Sequence, residues 1–164
     1  MKSLIMSLHF VLLAGAFLAA PMAQAQNTNN SDQIPRQVLN GLKAKFSKPT
    51  IEKWTKENEG GLVVFDIEFT QEGRKFEADI AEDGTIKNWE KAIAAEDLPS
   101  AVRNTVGKKY PRASMKEIMQ ITTIANGKEK VEGYEILLRT TENKSVEVTI
   151  APDGKVLEDS GESK

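Results

Sequence analysis

The side chains that could carry chemistry in this chain are carboxylates and lysines. Its 164 residues include 24 Asp and Glu but no Cys, and the single His, His9, lies close to the N-terminus. Ser-His-Asp and Cys-His catalysis require a histidine, and the usual zinc sites require His or Cys ligands. Catalysis by carboxylates or lysine alone stays open, but no motif marks it. We therefore expect a protein that is not an enzyme and that has no catalytic residue, metal site or cofactor.

Four carboxylates are predicted to lie together on one face of a hairpin. The segments at 62–69 and 75–80 both alternate apolar and polar residues, and Glu72-Gly73 between them reads as a two-residue turn. This turn puts the apolar residues on one face and sets like charges opposite each other on the other: Glu68 with Glu77, and Asp66 with Asp79. Such pairs destabilise a sheet by roughly 0.2–1 kcal/mol each.

One interpretation of this acidic face is that lysines on neighbouring strands neutralise it. The next turn would bring Lys87 opposite Asp79, and one register of the first hairpin would bring Lys53 opposite Asp66. Exposed, partly neutralised charges are usual on the open face of an antiparallel sheet. In this interpretation the face is ordinary solvated surface.

The second interpretation is a docking surface. Glu68 and Glu77 would lack such lysine partners, and the same register places Trp89 beside Glu77. An exposed tryptophan among carboxylates is a strong candidate anchor for a partner protein. Leu137 and Leu157 are predicted to fall on the same outer face and could extend it, although scattered exposed leucines are common.

The first 25 residues have the composition of a secretory signal peptide. Lys2 precedes an apolar run from Leu4 to Ala20, and Ala23-Gln24-Ala25 forms a small-x-small cleavage site. An uncleaved anchor is the alternative, but the run is near the lower limit for a membrane span. Without Cys, the chain cannot be a lipoprotein modified at the cleavage site. We expect cleavage after Ala25, a flexible segment at 26–32 and a periplasmic or secreted mature protein.

Cleavage would leave 139 of the 164 residues and, with Lys2 removed, would change the formal charge from −2 to −3. A chain of this length can bury one sizeable core without disulfides. Its weak negative charge is spread along the sequence and gives no electrostatic footprint for nucleic acid or for an anionic membrane. We expect a protein partner and no stable membrane insertion after cleavage.

Two halves of the mature chain carry the same pattern. The matching segments are "IAEDGTI" (80–86) with "IAPDGKV" (150–156), and "IPRQVLNGLKAKF" (34–46) with "LPSAVRNTVGKKY" (98–110). The offset between matching residues grows from 64 to 70, and only between elements, as changes in loop length would produce. We expect two tandem units at 33–96 and 97–159, followed by a disordered tail at 160–164.

Each unit is predicted to contain one helix followed by a small antiparallel meander. Apolar residues recur every four positions across 34–46 and 98–110, with a proline in the first turn of each helix. The strands are predicted at 50–57, 62–69, 75–80, 85–89, 114–125, 134–139, 145–150 and 155–158. The fold class is α+β, with the helices packed on one face of the sheet and the other face open. We place Trp54 in the core.

The motif Asp-Gly closes both units. At Asp83-Gly84 and Asp153-Gly154 the aspartate can accept a bond from its own backbone, and the glycine tolerates a positive φ. A calcium loop is the alternative, because Glu82 and Asp159 would add oxygen ligands. Neither turn has the spacing of a twelve-residue calcium loop, so we predict plain turns.

This order of elements resembles the PepSY and PepSY-like domains of bacterial cell-envelope and secreted proteins. The similarity covers about residues 33–158 and is carried by the "IPRQV" and "LPSAV" openings, by the strand centres at 65–67 and 134–136, and by the two "DG" closings. The tandem arrangement also resembles beta-lactamase inhibitory protein, whose disulfides this chain lacks, so that protein's specific activity is not carried over. The resemblance implies a non-enzymatic protein that inhibits or modulates peptidases outside the cytoplasm.

Two functions remain open after these observations. The first is an exported interaction module that binds a peptidase or another envelope protein through the open sheet face, using Trp89 and the residues around it. The second is the binding of a small molecule or a divalent cation by the acidic residues Asp66, Glu68, Glu77 and Asp79. An envelope pull-down and a calcium titration would separate them.

Overall fold

The computed structural model describes residues 31–161. The helices are α1 (Arg36–Lys45) and α2 (Ser100–Lys109). The strands are β1 (Thr50–Glu59), β2 (Leu62–Gln71), β3 (Arg74–Ala81), β4 (Ile86–Ala92), β5 (Ser114–Ala125), β6 (Lys128–Arg139), β7 (Ser145–Ile150) and β8 (Val156–Asp159). The predicted signal peptide, the segment 26–30 and residues 162–164 lie outside the described residues. No helix within 31–161 has the length and apolarity needed to cross a membrane.

The eight strands form one antiparallel sheet in which each strand pairs with its neighbours in the sequence. Two of the tightest connections are the predicted two-residue turns. Glu72 and Gly73 have φ values of 54° and 75°, and Asn126 and Gly127 have 52° and 70°, as a turn with positive φ at both positions requires. The α+β class is therefore confirmed, and the sheet is continuous through both halves of the chain.

Both helices pack on the same face of this sheet. A row of directly paired residues crosses the sheet from Ala78 on β3 through Trp89 and Thr122 to Val131 on β6. Paired residues on adjacent strands point to the same face of the sheet. Ala78 belongs to the core cluster of α1, and Val131 packs against the core cluster of α2. Among the described residues no helix covers the opposite side, which we call the helix-free face.

Each helix buries its predicted apolar stripe. Val38 and Leu42 of α1 and Val102 of α2 are completely buried, and Val106 nearly so. Pro35 and Pro99, predicted in the first turns, are instead the N-caps, so the helices begin just after them. Trp54 is only 5 % exposed and belongs to the α1 cluster, which confirms its predicted place in the core.

The two Asp-Gly turns are shaped by the helices above them. Asp83 accepts a hydrogen bond from the Thr85 N–H at 2.8 Å, and Asp153 accepts the equivalent bond from Lys155 at 3.0 Å. Gly84 and Gly154 have φ values of 88° and 90°. A Cβ on Gly84 would also lie 2.5 Å from the Gln37 carbonyl oxygen, and one on Gly154 would lie 3.0 Å from that of Ala101. Each turn therefore needs its glycine for two reasons: the positive φ, and the close packing of the helix.

The chain end is ordered further than predicted. Ser160 and Gly161 were expected in a disordered tail. Instead, the Ser160 N–H donates to the Glu147 carbonyl at 2.9 Å, and the Gly161 N–H donates to Asp159 Oδ1 at 2.8 Å. These bonds fix the end of β8 against β7.

Candidate functional site

The carboxylates of β2 and β3 lie on the helix-free face in the predicted register. Glu68 is opposite Glu77, and Asp66 is opposite Asp79. The two-residue turn at Glu72-Gly73 fixes this register, because it leaves only one pairing that buries the apolar residues of both strands. The predicted pairing of these four carboxylates is therefore confirmed.

A β-bulge between β3 and β4 overturns the predicted position of Trp89. Ile80 pairs with Ile86 as expected, but Asp79 then pairs with Asn88 and Ala78 with Trp89, so Lys87 is the extra residue. One inserted residue moves every later side chain of the strand to the opposite face. The predictions that Trp89 lies beside Glu77 and that Lys87 faces Asp79 are therefore wrong.

Trp89 packs on the helix side instead. Its ring centroid lies 5.9 Å from that of Phe46 at the end of α1 and 6.4 Å from that of Phe76. The Lys45 ammonium lies 4.7 Å from the Trp89 centroid and also pairs with Glu129 on the β5–β6 hairpin. Trp89 is half-buried and packed against the α1 core, so it cannot anchor a partner on the helix-free face.

Because of the same bulge, two unpredicted residues face the β3 carboxylates. Asn88 Nδ2 donates to Asp79 Oδ2 at 2.9 Å, so an amide takes the place predicted for Lys87. Glu90 lies directly opposite Glu77. Three glutamates on adjacent strands therefore stand side by side, Glu68, Glu77 and Glu90, which we call the glutamate row.

A second bulge, between Ile51 and Lys53, shifts the register of β1. Lys53 pairs with Glu68, and Thr55 takes the place opposite Asp66 that was predicted for Lys53. Lys53 Nζ donates to Glu68 Oε1 at 2.8 Å, and this hydrogen bond raises the pKa of Lys53. The prediction that Glu68 lacks a lysine partner is also wrong.

Lys75 supplies the second cation of the face. Its Nζ lies 3.0 Å from Glu77 Oε1 and 2.9 Å from Glu117 Oε1 on β5. Burial lowers the pKa of Lys75, but the hydrogen bond with Glu117 and the charge of Glu77 outweigh it and raise the pKa above its ordinary value. Lys75 therefore stays charged and ties the glutamate row to the second half of the chain.

The helix-free face continues across the second half. Leu137 lies opposite Glu117 and Glu147, as predicted for this face, and is half-buried. Leu157 is the extra residue of a bulge between β7 and β8 and is 45 % exposed. A Cβ on Gly133 would lie 3.5 Å from Leu157 Cδ1, so Leu157 reaches the rim of the same face.

Sequence reasoning missed Glu90, Lys75, Glu117 and Glu135. Lys75 could have been found, since it lies two residues before Glu77 on one strand and so shares its face. Glu135 follows in the same way from Leu137. Glu90 could not, because its face depends on the bulge, and Glu117 could not, because it is brought in by the pairing of β5 with β4 and β6.

Chemically, the helix-free face is a surface for ion pairs and hydrogen bonds. Glu77, Glu90 and Glu135 are each less than 9 % exposed, and Lys53 and Lys75 hold two of the carboxylates in fixed positions. Within residues 31–161, no group of three or more His, Asp or Glu side chains has the arrangement needed to hold a metal ion. Fixed carboxylates of this kind suit the recognition of basic groups on a partner.

Comparison with known proteins identifies the fold. No family model matches the chain, and no curated protein matches it. The fold is similar to that of a DUF2874 family protein from Bacteroides uniformis (TM-score 0.60, 12 % identity, 76 % of this chain and 87 % of that chain). It is similar to a candidate periplasmic protein from Bacteroides eggerthii (0.61, 14 %, 76 % and 86 %). A BLIP-like protein from Bacteroides fragilis (0.52, 18 %, 79 % and 89 %) shares it too.

Proposed function

We propose that the mature protein is an exported, non-enzymatic module that binds another protein through its helix-free face. The partner presents basic side chains to the half-buried carboxylates of this face, Asp66, Glu68 and Asp79, and is a peptidase or another protein of the cell envelope. Support for export comes from the N-terminal sequence and from the similarity in fold to a candidate periplasmic protein. The BLIP-like neighbour and the resemblance to PepSY domains support a binding role.

We also propose that the two halves are copies of one PepSY-like unit. Each half has a helix followed by four strands. A backbone carbonyl of that helix, from Gln37 in the first half and Ala101 in the second, lies over the glycine of the Asp-Gly turn in the same half. The bulge between the third and fourth strands recurs as well, at Lys87 in the first half and at Leu157 in the second. Shared irregularities of this kind support duplication more strongly than regular pairing does.

The observation that carries the binding proposal is the fixed glutamate row. The row places three like-charged side chains on adjacent strands, and Lys53 and Lys75 offset part of their repulsion. Lys53 and Lys75 hold Glu68 and Glu77 in place before any partner arrives, which lowers the entropy lost on binding.

The test compares two charge reversals. Asp66→Lys changes the helix-free face at a half-buried position, and Asp97→Lys makes the same change on the exposed turn before α2. Wild-type and variant proteins would be used to capture partners from the envelope fraction, and affinity for the captured protein would be measured. We expect Asp66→Lys to weaken binding at least tenfold and Asp97→Lys to leave it unchanged.

Equal affinities for the two variants would exclude the helix-free face as the binding surface. A calcium titration by calorimetry runs in parallel. Saturable heat with wild type that disappears in Asp66→Lys would instead favour cation binding on this face.

A further inference from the structure

The last strand leaves one edge of the sheet exposed. β8 pairs only with β7, through Val148 with Asp159, Thr149 with Glu158 and Ile150 with Val156. The described part of the chain provides no strand beyond it. An edge strand directs the N–H and C=O groups of every second residue away from the sheet, where an added strand can bind them.

A cavity of about 700 Å³ lies at this edge. It is lined by Lys109 of α2 on the helix side, by Glu147 and Thr149 on the helix-free side, and by β8 with Ser160 between them. Because it touches both sides of the sheet, the cavity lies across the edge rather than on either face. Its volume is within the range of natural ligand sites.

The lining determines which chemistry fits. Leu157, 45 % exposed, offers apolar contact. Lys109 Nζ is held at 3.1 Å by Asp159 Oδ2, while Glu147 and Glu158 add two more carboxylates to the lining. The exposed carboxylate of Glu158 favours a ligand with a positive charge, and the leucine favours an apolar group beside it.

A clasp at the chain end keeps this edge in place. The Ser160 N–H donates to the Glu147 carbonyl at 2.9 Å, and the Glu147 N–H donates to Ser160 Oγ at 2.8 Å. The Tyr110 hydroxyl donates to Asp159 Oδ1 at 2.5 Å. These bonds hold the short strand β8 in place, so the clasp preforms the edge and reduces the entropy lost when a ligand binds.

We propose that the exposed edge of β8 binds an extended peptide segment, carrying a basic residue next to an apolar one, by strand addition. The site is centred on β8 at the edge of the sheet and includes no residue of the glutamate row, so either proposal can fail alone. The other edge strand, β1, is less suited to this role. It carries two exposed lysines, Lys53 and Lys56, and lysine on an edge strand is a feature that blocks strand addition.

The probe is a fluorescein-labelled hexapeptide of alternating lysine and valine, titrated into the mature protein by fluorescence polarisation. Two control peptides have the same length: one alternates glutamate and valine, and the other is the lysine peptide N-methylated at every second amide. Strand addition depends on backbone hydrogen bonds, so we expect N-methylation to weaken binding about tenfold or more. The glutamate peptide should not bind.

A matched pair of variants locates the site. Glu158→Lys on β8 and Glu52→Lys on β1 make the same change at exposed positions of the two edge strands. We expect Glu158→Lys to weaken binding of the lysine peptide at least threefold and Glu52→Lys to leave it unchanged. Amide shifts in two-dimensional NMR should be confined to 147–161.

A third variant tests the clasp. A Cβ on Gly161 would lie 2.5 Å from the Tyr110 hydroxyl oxygen and 3.0 Å from Val146 Cγ1, so Gly161→Ala displaces the clasp without changing a lining residue. It should weaken peptide binding while the NMR spectrum outside the second half stays as in wild type. The proposal is overturned by absent binding, by insensitivity to N-methylation, by shifts on β1 or at the glutamate row, or by peptide-independent dimerisation through β8.

Discussion

At the residue scale, the last two positions of each helix region contact the last strand of the same half. The type of contact differs between the two halves. Lys45-Phe46 at the end of α1 contacts Trp89 through its ring and its ammonium group. Lys109-Tyr110 at the end of α2 binds Asp159 with an ion pair and a hydrogen bond. Trp89 and Asp159 occupy matching positions after matching bulges. An aromatic contact in one half is thus replaced by a charged one in the other.

Trp89→Ala is therefore expected to be a stability mutation. Loss of a half-buried aromatic side chain from the α1 cluster should cost about 2–4 kcal/mol of unfolding free energy. Affinity for a partner bound on the helix-free face should stay within about twofold. Urea unfolding and a binding titration would check this, and a variant of wild-type stability with lost affinity would contradict it.

Asp159→Asn should reveal a pH-dependent contribution. Burial raises the pKa of Asp159, but hydrogen bonds from Tyr110 and the Gly161 N–H and the charge of Lys109 outweigh it, so this pKa lies below its ordinary value. A group with a depressed folded pKa stabilises the fold above its unfolded pKa of about 3.9, and this contribution is lost as the pH falls through the folded pKa.

Denaturant unfolding at several pH values measures this effect. At pH 7 the variant should be less stable than wild type by about 1.5–3 kcal/mol, the range for hydrogen bonds to a charged group. The difference should shrink below about pH 4. Glu158→Gln, at the exposed neighbouring position, is the control and should change little. A difference independent of pH would mean that the Asp159 charge does not stabilise the fold.

At the scale of the elements, each Asp-Gly turn is fitted to the helix that crosses it. Gly41 on α1 approaches Gly84 so closely that a Cβ there would overlap the Gly84 carbonyl oxygen. At the matching position of α2, the Thr105 hydroxyl donates to the Gly154 carbonyl at 2.7 Å. The turn therefore positions its helix as well as reversing the chain.

Gly84→Ala should cost more stability than Gly73→Ala. Both glycines have positive φ, at 88° and 75°, so both substitutions carry about 1–2 kcal/mol of backbone strain. A Cβ on Gly73 meets no atom within 4 Å, whereas one on Gly84 meets the Gln37 carbonyl oxygen and displaces α1. Thermal unfolding of the two variants measures the difference, and equal losses would show that the turn does not position the helix.

The central strands of the two halves should contribute equally to stability. Ile67 and Ile136 are completely buried at matching positions, and each substitution to Ala should cost about 2–5 kcal/mol. Leu62→Ala, at a position 57 % exposed, is the control and should stay within about 0.5 kcal/mol. Equilibrium denaturation measures all three. Losses below about 1 kcal/mol at both isoleucines would contradict the assigned core.

At the scale of the whole molecule, the two halves are joined on both faces. The sheet runs unbroken through five paired positions of β4 and β5, from Asn88 with Thr123 to Ala92 with Met119. Lys45 pairs with Glu129 on the helix side, and Lys75 pairs with Glu117 on the helix-free side. Each half thus contributes backbone and side chains to the other.

We expect the protein to unfold in one cooperative transition. Both tryptophans, Trp54 and Trp89, lie in the first half, so their fluorescence reports mainly on that half and its junction with the second. Far-UV circular dichroism reports on the whole sheet. The two probes should give the same midpoint in urea, because an exposed β4 or β5 edge would leave either half unstable. Separated midpoints would show that the halves fold independently.

The local elements could be predicted from the sequence because short-range physics determines them. Apolar period and flanking prolines gave α1 and α2, and alternation with tight turns gave the strands and the β2–β3 register. That register brought Glu68 opposite Glu77 without any tertiary information. The turns at Glu72-Gly73 and Asn126-Gly127 are local as well, because each depends only on the positive φ values of its own two residues.

Only the tertiary structure decided which side of the sheet the last strand of each half presents. The bulge residues Lys87 and Leu157 have no sequence signature, because the extra residue is defined only by how the strand pairs with its neighbour. One extra residue moved Trp89 to the core side and Glu90 to the helix-free face. The alternation of apolar and polar residues gives the spacing of side chains along a strand. Packing against the helix determines which of the two alternating sets faces the helices.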